Sequence, residues 1–472
     1  MRKLLIVILV LAALLLLTVP GVVGMHAEGQ YQQMVGQLQA SGLRVVRNDY
    51  QRDWFGATAE TELELPMPQD AAPQKSPQPL RFVLRSEISH GPFSPAQGVT
   101  GDQLIVDSEF LSDGKPLFPA DYPALIQTRI SLDGNGRTLI DLPPLELPGR
   151  HGQPAIQFKG AKGEMGFGAD HGHLAMDLKL PYLRIDNGQG ALFELEGAIL
   201  DGAYERGVAG LMLGSGEVSI RRVGMLSGQV ASLELRQLRA KVESSGAGER
   251  VQGAVRYTVD SVVVNGDSYG PAELDLRVDS LSAPVLGRMQ KAMDEMAGQN
   301  LPPEQQGMAL LSVMMSSGEE FLRSDPRLVL ERLYVKTPEG TIEGRFKLQP
   351  IGLEWAEISN IGAILNKLDA EAELQMPEAL FRAMFEQQAR QMVMMQVEQQ
   401  RMLGKDVATP DFEQLESQVA ALADQQLEGL LQQEVLVRKG DDIATVATLR
   451  NGLLTVNGKS LPLPILGPPP VQ

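Results

Sequence analysis

Long stretches of this chain alternate apolar and polar residues one by one, and that period limits the fold more than any other feature. Leu174, Met176, Leu178 and Leu180 alternate with Ala175, Asp177 and Lys179. Val255, Tyr257 and Val259 alternate with Arg256, Thr258 and Asp260, and Leu274, Leu276 and Val278 with Asp275, Arg277 and Asp279. Thr61, Leu63 and Leu65 do the same against Glu60, Glu62 and Glu64. Successive side chains of a strand point to opposite faces, so each run predicts a strand with one face buried and one in water. Asp133-Gly134, Asn135-Gly136, Asn187-Gly188, Asn265-Gly266, Asn451-Gly452 and Asn457-Gly458 mark turns between such runs. These dipeptides supply the positive φ that tight hairpins require. Few helical patterns fall between the strands, which disfavours βαβ units and a parallel sheet. The predicted class is α+β, mainly β, built on a large, curved antiparallel meander.

Two helical blocks interrupt that meander. The first runs from about Ala283 to Arg323 with a break at Asn300 to Pro303, and the second from about Pro377 to Gln433 with a break around Gly404 to Pro410. In the second, Phe381, Phe385, Met392, Met395 and Met402 recur at near-heptad spacing among Gln and Glu. This predicts one apolar face on the helix. Such a face fills a seam against the sheet or another protomer, or offers an adaptable surface to a lipid or peptide. Pro377 suits the first turn of the helix. Between the blocks, Leu328 to Leu348 reads as a hairpin around Pro338-Glu339-Gly340, and strands return at Glu434 to Arg438, Ile443 to Leu449 and Leu453 to Val456. The expected organisation is a transmembrane anchor over 1–24, a β-rich extracytoplasmic region over 25–282, a helical insertion over 283–326 and a hairpin region over 327–376. A helical region over 377–433 and C-terminal strands with a Pro-rich tail over 434–472 complete it.

The anchor rests on Leu4 to Gly24, 21 residues without a charge after Arg2 and Lys3. A helix needs about 20 apolar residues to cross a bilayer core. A cleaved signal peptide shares the basic start, but its apolar core is about 7–15 residues. The uncleaved anchor is therefore the expectation. No Lys or Arg follows until Arg44, so the positive-inside rule keeps the N-terminus cytoplasmic and exports the rest. With 59 acidic against 42 basic residues the net charge is −17, which disfavours nucleic acid as a partner.

The search for chemistry is mostly negative. No Cys is present, which removes thiol catalysis and Cys-ligated metals. No Gly-x-Ser-x-Gly elbow, Walker loop or His-Glu-x-x-His occurs. His171 and His173 share one face if they lie on a strand, and Asp170 and His151 are conceivable companions in a metal site. The alternative is a pair of loop histidines beside Gly168 and Gly172. No catalytic, cofactor-binding or metal residue is nominated, and the expectation is a protein that is not an enzyme.

The chain resembles the YdgA family of bacterial envelope proteins, whose function is unknown. Besides the apolar N-terminal segment, Tyr50-Gln51-Arg52-Asp53-Trp54-Phe55-Gly56-Ala57-Thr58-Ala59 is similar to the family's Tyr-x-Arg-Gly-Trp-(Phe/Leu)-Ser-Ser-x-Ala pattern. Asp53, Gly56 and Ala57 depart from it. Ile88-Ser89-His90-Gly91-Pro92-Phe93 matches the His-Gly-Pro motif. Near the end, Leu427-Glu428-Gly429 precedes strands, and Leu453 to Lys459 matches the Asn-Gly-Lys hairpin through Asn457, Gly458 and Lys459. The resemblance implies an inner-membrane-anchored periplasmic protein with no known reaction or cofactor. Physically, Gly91-Pro92 re-aims the chain, Asn457-Gly458 is a turn, and His90 reads as a hydrogen-bonded structural residue. Two functional expectations follow. One is a non-enzymatic carrier whose apolar sheet face holds acyl chains or an outer-membrane strand. The other is a scaffold that self-associates through the Met/Phe helical face.

Overall fold

Alternation does produce strands, and most of them follow one another in the sheet in the order in which they occur in the sequence. The computed structural model describes residues 44–52, 56–65, 80–90, 93–94, 98–99, 102–112, 115–116, 126–131, 133–149, 154–169, 172–188, 190–227, 231–297, 303–402 and 412–461. Contacts divide them into two units, one falling within 1–266 and 282–318, the other within 267–281 and 319–472.

The first unit is an antiparallel meander. Its strands are Arg44–Arg52 (β1), Gly56–Leu65 (β2), Leu80–His90 (β3), Asp102–Ser112 (β4), Ile126–Ser131 (β5), Gly136–Leu142 (β6), Ala161–Phe167 (β7), His173–Asp186 (β8), Ala191–Arg206 (β9), Met212–Ser227 (β10), Ala231–Ala247 (β11), Arg250–Val259 (β12) and Ser261–Val264 (β13). From β1 to β12 each pairs with the next, and β13 continues the β12 ladder along β11. The core is one contiguous cluster that includes Leu63, Leu84, Ile130, Ile140, Phe193 and Val223. Among the described residues no helical residue belongs to it, and its members come from strands, as in an antiparallel sheet that curls over its own apolar face. Buried hydroxyls within it satisfy one another across strands: Ser86 with Ser108 at 2.8 Å and Thr128 with Thr138 at 2.9 Å. The β1 edge carries a bulge at Val46 and the charged residues Arg44, Arg47 and Asp49, which blunts it against pairing with another chain. Helix α1 (Ala283–Ala297) attaches to the far end of β9–β12. Its Ala283 N–H donates to Glu249 O at 2.8 Å, and a Cβ on Gly287 would stand 3.0 Å from Ala209 O. Helix α2 covers Pro303–Arg323.

The second unit has strands Ala272–Ser282 (β14), Arg327–Thr337 (β15), Gly340–Pro350 (β16), Leu368–Pro377 (β17), Val437–Lys439 (β18), Asp442–Arg450 (β19), Leu453–Val456 (β20) and Lys459–Leu461 (β21). The ladder runs β14-β15-β16-β17-β19-β20-β21, with β18 and β20 sharing one side of β19. Helices Ile361–Asn366 (α3), Glu378–Met402 (α4) and Phe412–Gln432 (α5) complete it. Helices α4 and α5 bury Ala389, Val419, Ala423 and Leu427. They are cross-linked by Arg382 to Asp424 and by Arg390 to Glu416 at 2.6 Å.

Two expectations need adjusting. Pro377 is the last residue of β17 rather than part of the helical first turn, and α4 begins at Glu378. The strand expected from Glu434 starts at Val437, because Glu434 adopts φ 55° and terminates α5. Among the described residues no helix is long and apolar enough to cross a membrane, and the segment 4–24, the Trp54-Phe55 loop, the proline-rich 66–79 and the tail 462–472 lie outside them.

Ile130 is fully buried, whereas Leu139, on the adjoining strand but the opposite face, is 39% exposed. Ile130→Ala is expected to lower the unfolding free energy by about 2–5 kcal/mol, and Leu139→Ala by under about 0.5 kcal/mol. Urea midpoints of the two variants check this difference.

Candidate functional site

Cross-strand register decides which side chains share a face. One row runs Leu178, Leu200, Val218, Ala240, Tyr257, and the next runs Met176, Gly202, Gly216, Val242, Val255. A third runs Leu180, Ala198, Ile220, Leu238. The rows lie two residues apart on every strand, so all belong to one apolar face. At β8 the face is buried in the core, through Leu178 and Leu180. Towards β12 it opens: Val218 is 37% exposed, Val242 40% and Tyr257 46%. This open part is the candidate site. Its floor is low because Gly202 faces Gly216. The Tyr204 ring lies across that pair, and a Cβ on Gly216 would fall 2.4 Å from the Tyr204 hydroxyl. An aromatic laid over paired glycines restores contact that the missing side chains give up.

The same strands carry a feature that single-strand periodicity does not reveal. On β8 the apolar set is Leu174, Met176, Leu178 and Leu180, and then Leu183 and Ile185. On β9 it is Leu200 and Ala198, and then Leu195 and Phe193; on β10, Val218 and Ile220, and then Val223 and Met225. On β11 it is Ala240 and Leu238, and then Leu235 and Leu233; beyond it, Tyr257 and Val259, and then Val262 and Val264. Each strand slips by one residue at the same row: Pro181, Gly197, Arg221, Gln237 and Asp260. The bridged pairs step over this row, from Leu180↔Ala198 to Tyr182↔Glu196, from Ala198↔Ile220 to Glu196↔Arg222, and from Ile220↔Leu238 to Arg222↔Arg236. Register is unchanged because every strand carries the extra residue. Gly197 (φ 62°) and Gln237 (φ 52°) sit in the left-handed region, which turns the alternation over while keeping apolar residues on the core face.

Beside this crease, the opposite face carries an ion-pair ladder. Tyr182 Oη donates to Glu194 at 3.2 Å, and Arg184 reaches Glu194 at 3.3 Å. Arg222 contacts Glu194 at 3.1 Å, Glu196 at 3.2 Å and Glu234 at 3.1 Å, and Arg236 pairs with Glu234. The Arg236 hydrogen bond, helped by Arg222 and opposed by burial, holds the Glu234 carboxyl below its ordinary value. Burial, with the Glu194 charge, pushes the Tyr182 phenol up. A groove of about 510 Å³ in the second unit is a weaker candidate, since its Arg345 and Arg332 are already paired with Glu373 at 2.7 Å and Glu273 at 3.2 Å.

The residues singled out from sequence scatter. Tyr50 packs on the first unit's core, Arg52 closes β1 opposite Ala57, and His90 closes β3 opposite Leu104. Trp54, Phe55, Gly91 and Pro92 lie outside the described residues. His173 opens β8 opposite Glu205, while His151, Asp170 and His171 are outside. On α4, Phe381 turns inward onto the second unit's core, next to Met376 and Leu427. The Phe385 ring packs on it, tilted by 53°, at 4.7 Å between ring centroids. Met395 points outward at 66% exposure, as does Met384 at 56%. The expected single stripe therefore divides between packing and surface. Met392 and Met402 also lie on α4, but their side chains are outside the described set.

Asn457, Gly458 and Lys459 form a structural lock. Asn457 (φ 49°) and Gly458 (φ 81°) make the two-residue turn between β20 and β21. Asn457 N–H donates to Val446 O at 2.8 Å, and its Oδ1 accepts from Val446 N–H at 2.9 Å. Its Nδ2 donates to Glu434 O at 2.8 Å and Val435 O at 3.1 Å, and Lys459 pairs with Glu434. One side chain thus ties the hairpin to β19 and to the exit of α5. Asn457→Ala removes three side-chain hydrogen bonds and places Ala at a positive φ. It should cost about 2–4 kcal/mol and speed hydrogen exchange at the Val446 amide. Unchanged Val446 protection would refute the lock.

No curated protein and no solved structure matches the chain. A family model described as a bacterial protein of unknown function, DUF945, matches residues 1–464. That span takes in the apolar N-terminal segment, the creased meander and the Asn457 lock, and the chain belongs to this DUF945 family.

Proposed function

We propose that this is a non-enzymatic carrier, YdgA-like, that holds an extended apolar chain, an envelope lipid's acyl tail, on the open face of β10–β12. The anchor over 4–24 would fix it to the inner membrane with the sheet in the periplasm. One observation carries the reading: an apolar face that is core at β8 and open at Val218, Val242 and Tyr257. Each methylene laid on such a face contributes about 0.8 kcal/mol when fully removed from water, so a chain of ordinary acyl length is a sufficient ligand without a deep pocket. The net charge of −17 keeps the face off anionic membrane surfaces.

A photoactivatable fatty acid added to the full chain in nanodiscs tests this. Label is expected in peptides covering 212–227, 231–247 and 250–259. Val218→Glu with Val242→Glu should reduce it about tenfold, equivalent to ~1.4 kcal/mol. Label elsewhere, or label unchanged in the double variant, defeats the reading.

A second reading, self-association through α4, is favoured by Met384 and Met395. They stand eleven residues apart on nearly the same line of the helix, and both are exposed. Met384→Glu with Met395→Glu should then convert a dimer to a monomer in light scattering. A monomer already in the parent protein removes it.

A further inference from the structure

We propose that the groove of about 510 Å³ on the second unit is a binding site for a neutral glycan that carries N-acetyl groups. Register builds it. Tyr334 of β15, Glu343 of β16, Gln375 of β17 and Ala444 of β19 are cross-strand partners in one row, so all four face the same side of the sheet. Arg345, Glu373 and Val446 form the neighbouring row on that side, two residues along each strand. Lys439 lines the groove from β18, beyond Ala444. From Tyr334 to Ala444 the row crosses three gaps between strands, or about 14 Å. That is the reach of a short oligosaccharide rather than of a single sugar.

The charges decide the ligand class. Glu331, Glu343 and Glu373 are balanced in the lining by Arg332, Arg345 and Lys439, so the groove selects neither an anion nor a cation. The arginines are engaged within the sheet, Arg345 with Glu373 at 2.7 Å and Arg332 with Glu273 at 3.2 Å. The pairing that weakens the groove as a site for an ion leaves a set of groups suited to a neutral ligand. Among the described residues the Glu343 carboxylate, the Lys439 ammonium and the Tyr334 hydroxyl have no hydrogen-bond or ion-pair partner. Gln375 donates its Nε2 hydrogen to Asp442 at 2.7 Å, which keeps its Oε1 as an acceptor. Sugar hydroxyls and acetamido groups both donate and accept, so one ligand can satisfy the acceptors Glu343 and Gln375 and the donor Lys439 together. The Arg332 guanidinium lies over the Tyr334 ring at 5.2 Å and holds it at one end of the row. Val446, 40% exposed beside Glu373, is the apolar contact that an acetyl methyl covers. A peptide fits less well. Strands β15, β16, β17 and β19 are each paired on both sides, so none offers an edge that a peptide backbone can join.

The glycan site belongs to the second unit and does not rest on the carrier reading. Calorimetric titration of the full chain in nanodiscs with chitotetraose, against empty nanodiscs as the blank, tests it. The expected Kd is below about 1 mM. Cellotetraose has the same linkage but hydroxyls in place of the acetamido groups, and should bind at least about tenfold more weakly. Glu343 and Lys439 are exposed, so Glu343→Ala and Lys439→Ala should keep the thermal midpoint of the parent. Each should weaken chitotetraose binding about tenfold. No binding of chitotetraose, equal binding of the two sugars, or binding unchanged in either variant overturns the proposal.

Discussion

The two-residue period of the β-strand is the constraint on which the first unit depends. Strands β8 to β11 run 14 to 17 residues, well beyond the usual length of about 5–6. A strand that long cannot follow a curved core and keep strict alternation, because the sheet must change direction somewhere along it. One extra residue in one strand would be an ordinary bulge and would shift the register. One extra residue in every strand at the same row leaves register intact and changes only the direction of the surface. The meander makes this possible, since each strand is the antiparallel neighbour of the one before and the row can be repeated at mirrored positions.

The crease also explains how the two faces divide their work. On the core side, apolar contact is continuous across it, so Leu180 and Leu183, or Ile220 and Val223, serve one cluster despite an interval of three residues. On the solvent side, the slip leaves two neighbouring residues per strand facing out, such as Glu196 with Gly197 and Arg221 with Arg222. The charge density of the Glu194–Arg222–Glu234 ladder follows from that doubling. Half-exposed ion pairs contribute little individually, but a shared arginine touching three carboxylates fixes the relative position of β9, β10 and β11 beside the crease.

Much of this was legible in the sequence. Alternation identified the strands, and Asn265-Gly266, Asn451-Gly452 and Asn457-Gly458 identified turns that do take paired positive φ. The described helices end at Ala297 and Met402 and the next begin at Pro303 and Phe412, while the residues between them, where the breaks are expected, lie outside the described residues. The slip was written in the sequence too, in the repeated three-residue interval, but one strand alone cannot distinguish it from an irregularity. Only pairing shows that the intervals align. The division of the α4 stripe was not legible for a related reason. Spacing gives the angle around a helix but not how far the partner extends, and β17 and α5 reach Phe381 while leaving Met395 in solvent. The role of Asn457 was half visible: its turn follows from the dipeptide, whereas its bonds to Val446, Glu434 and Val435 depend on a gap between β18 and β20 that no local pattern encodes.

An open apolar face is costly for a protein unless something regularly covers it, because such surfaces drive aggregation. This chain limits that cost in specific ways. The β1 edge is bulged and charged, the tallest positions on the face are replaced by Gly202 and Gly216, and Tyr204 is laid flat across them. These features narrow the exposed strip without closing it. A sheet meant only as a scaffold could have buried the strip by extending the curl that already covers Leu178 and Leu180, since the same strands supply the residues. Leu235 and Leu238 of β11 still pack on the core, whereas Val218, Val242 and Tyr257 stand in solvent, so the strip is the part of the apolar face that the curl leaves uncovered.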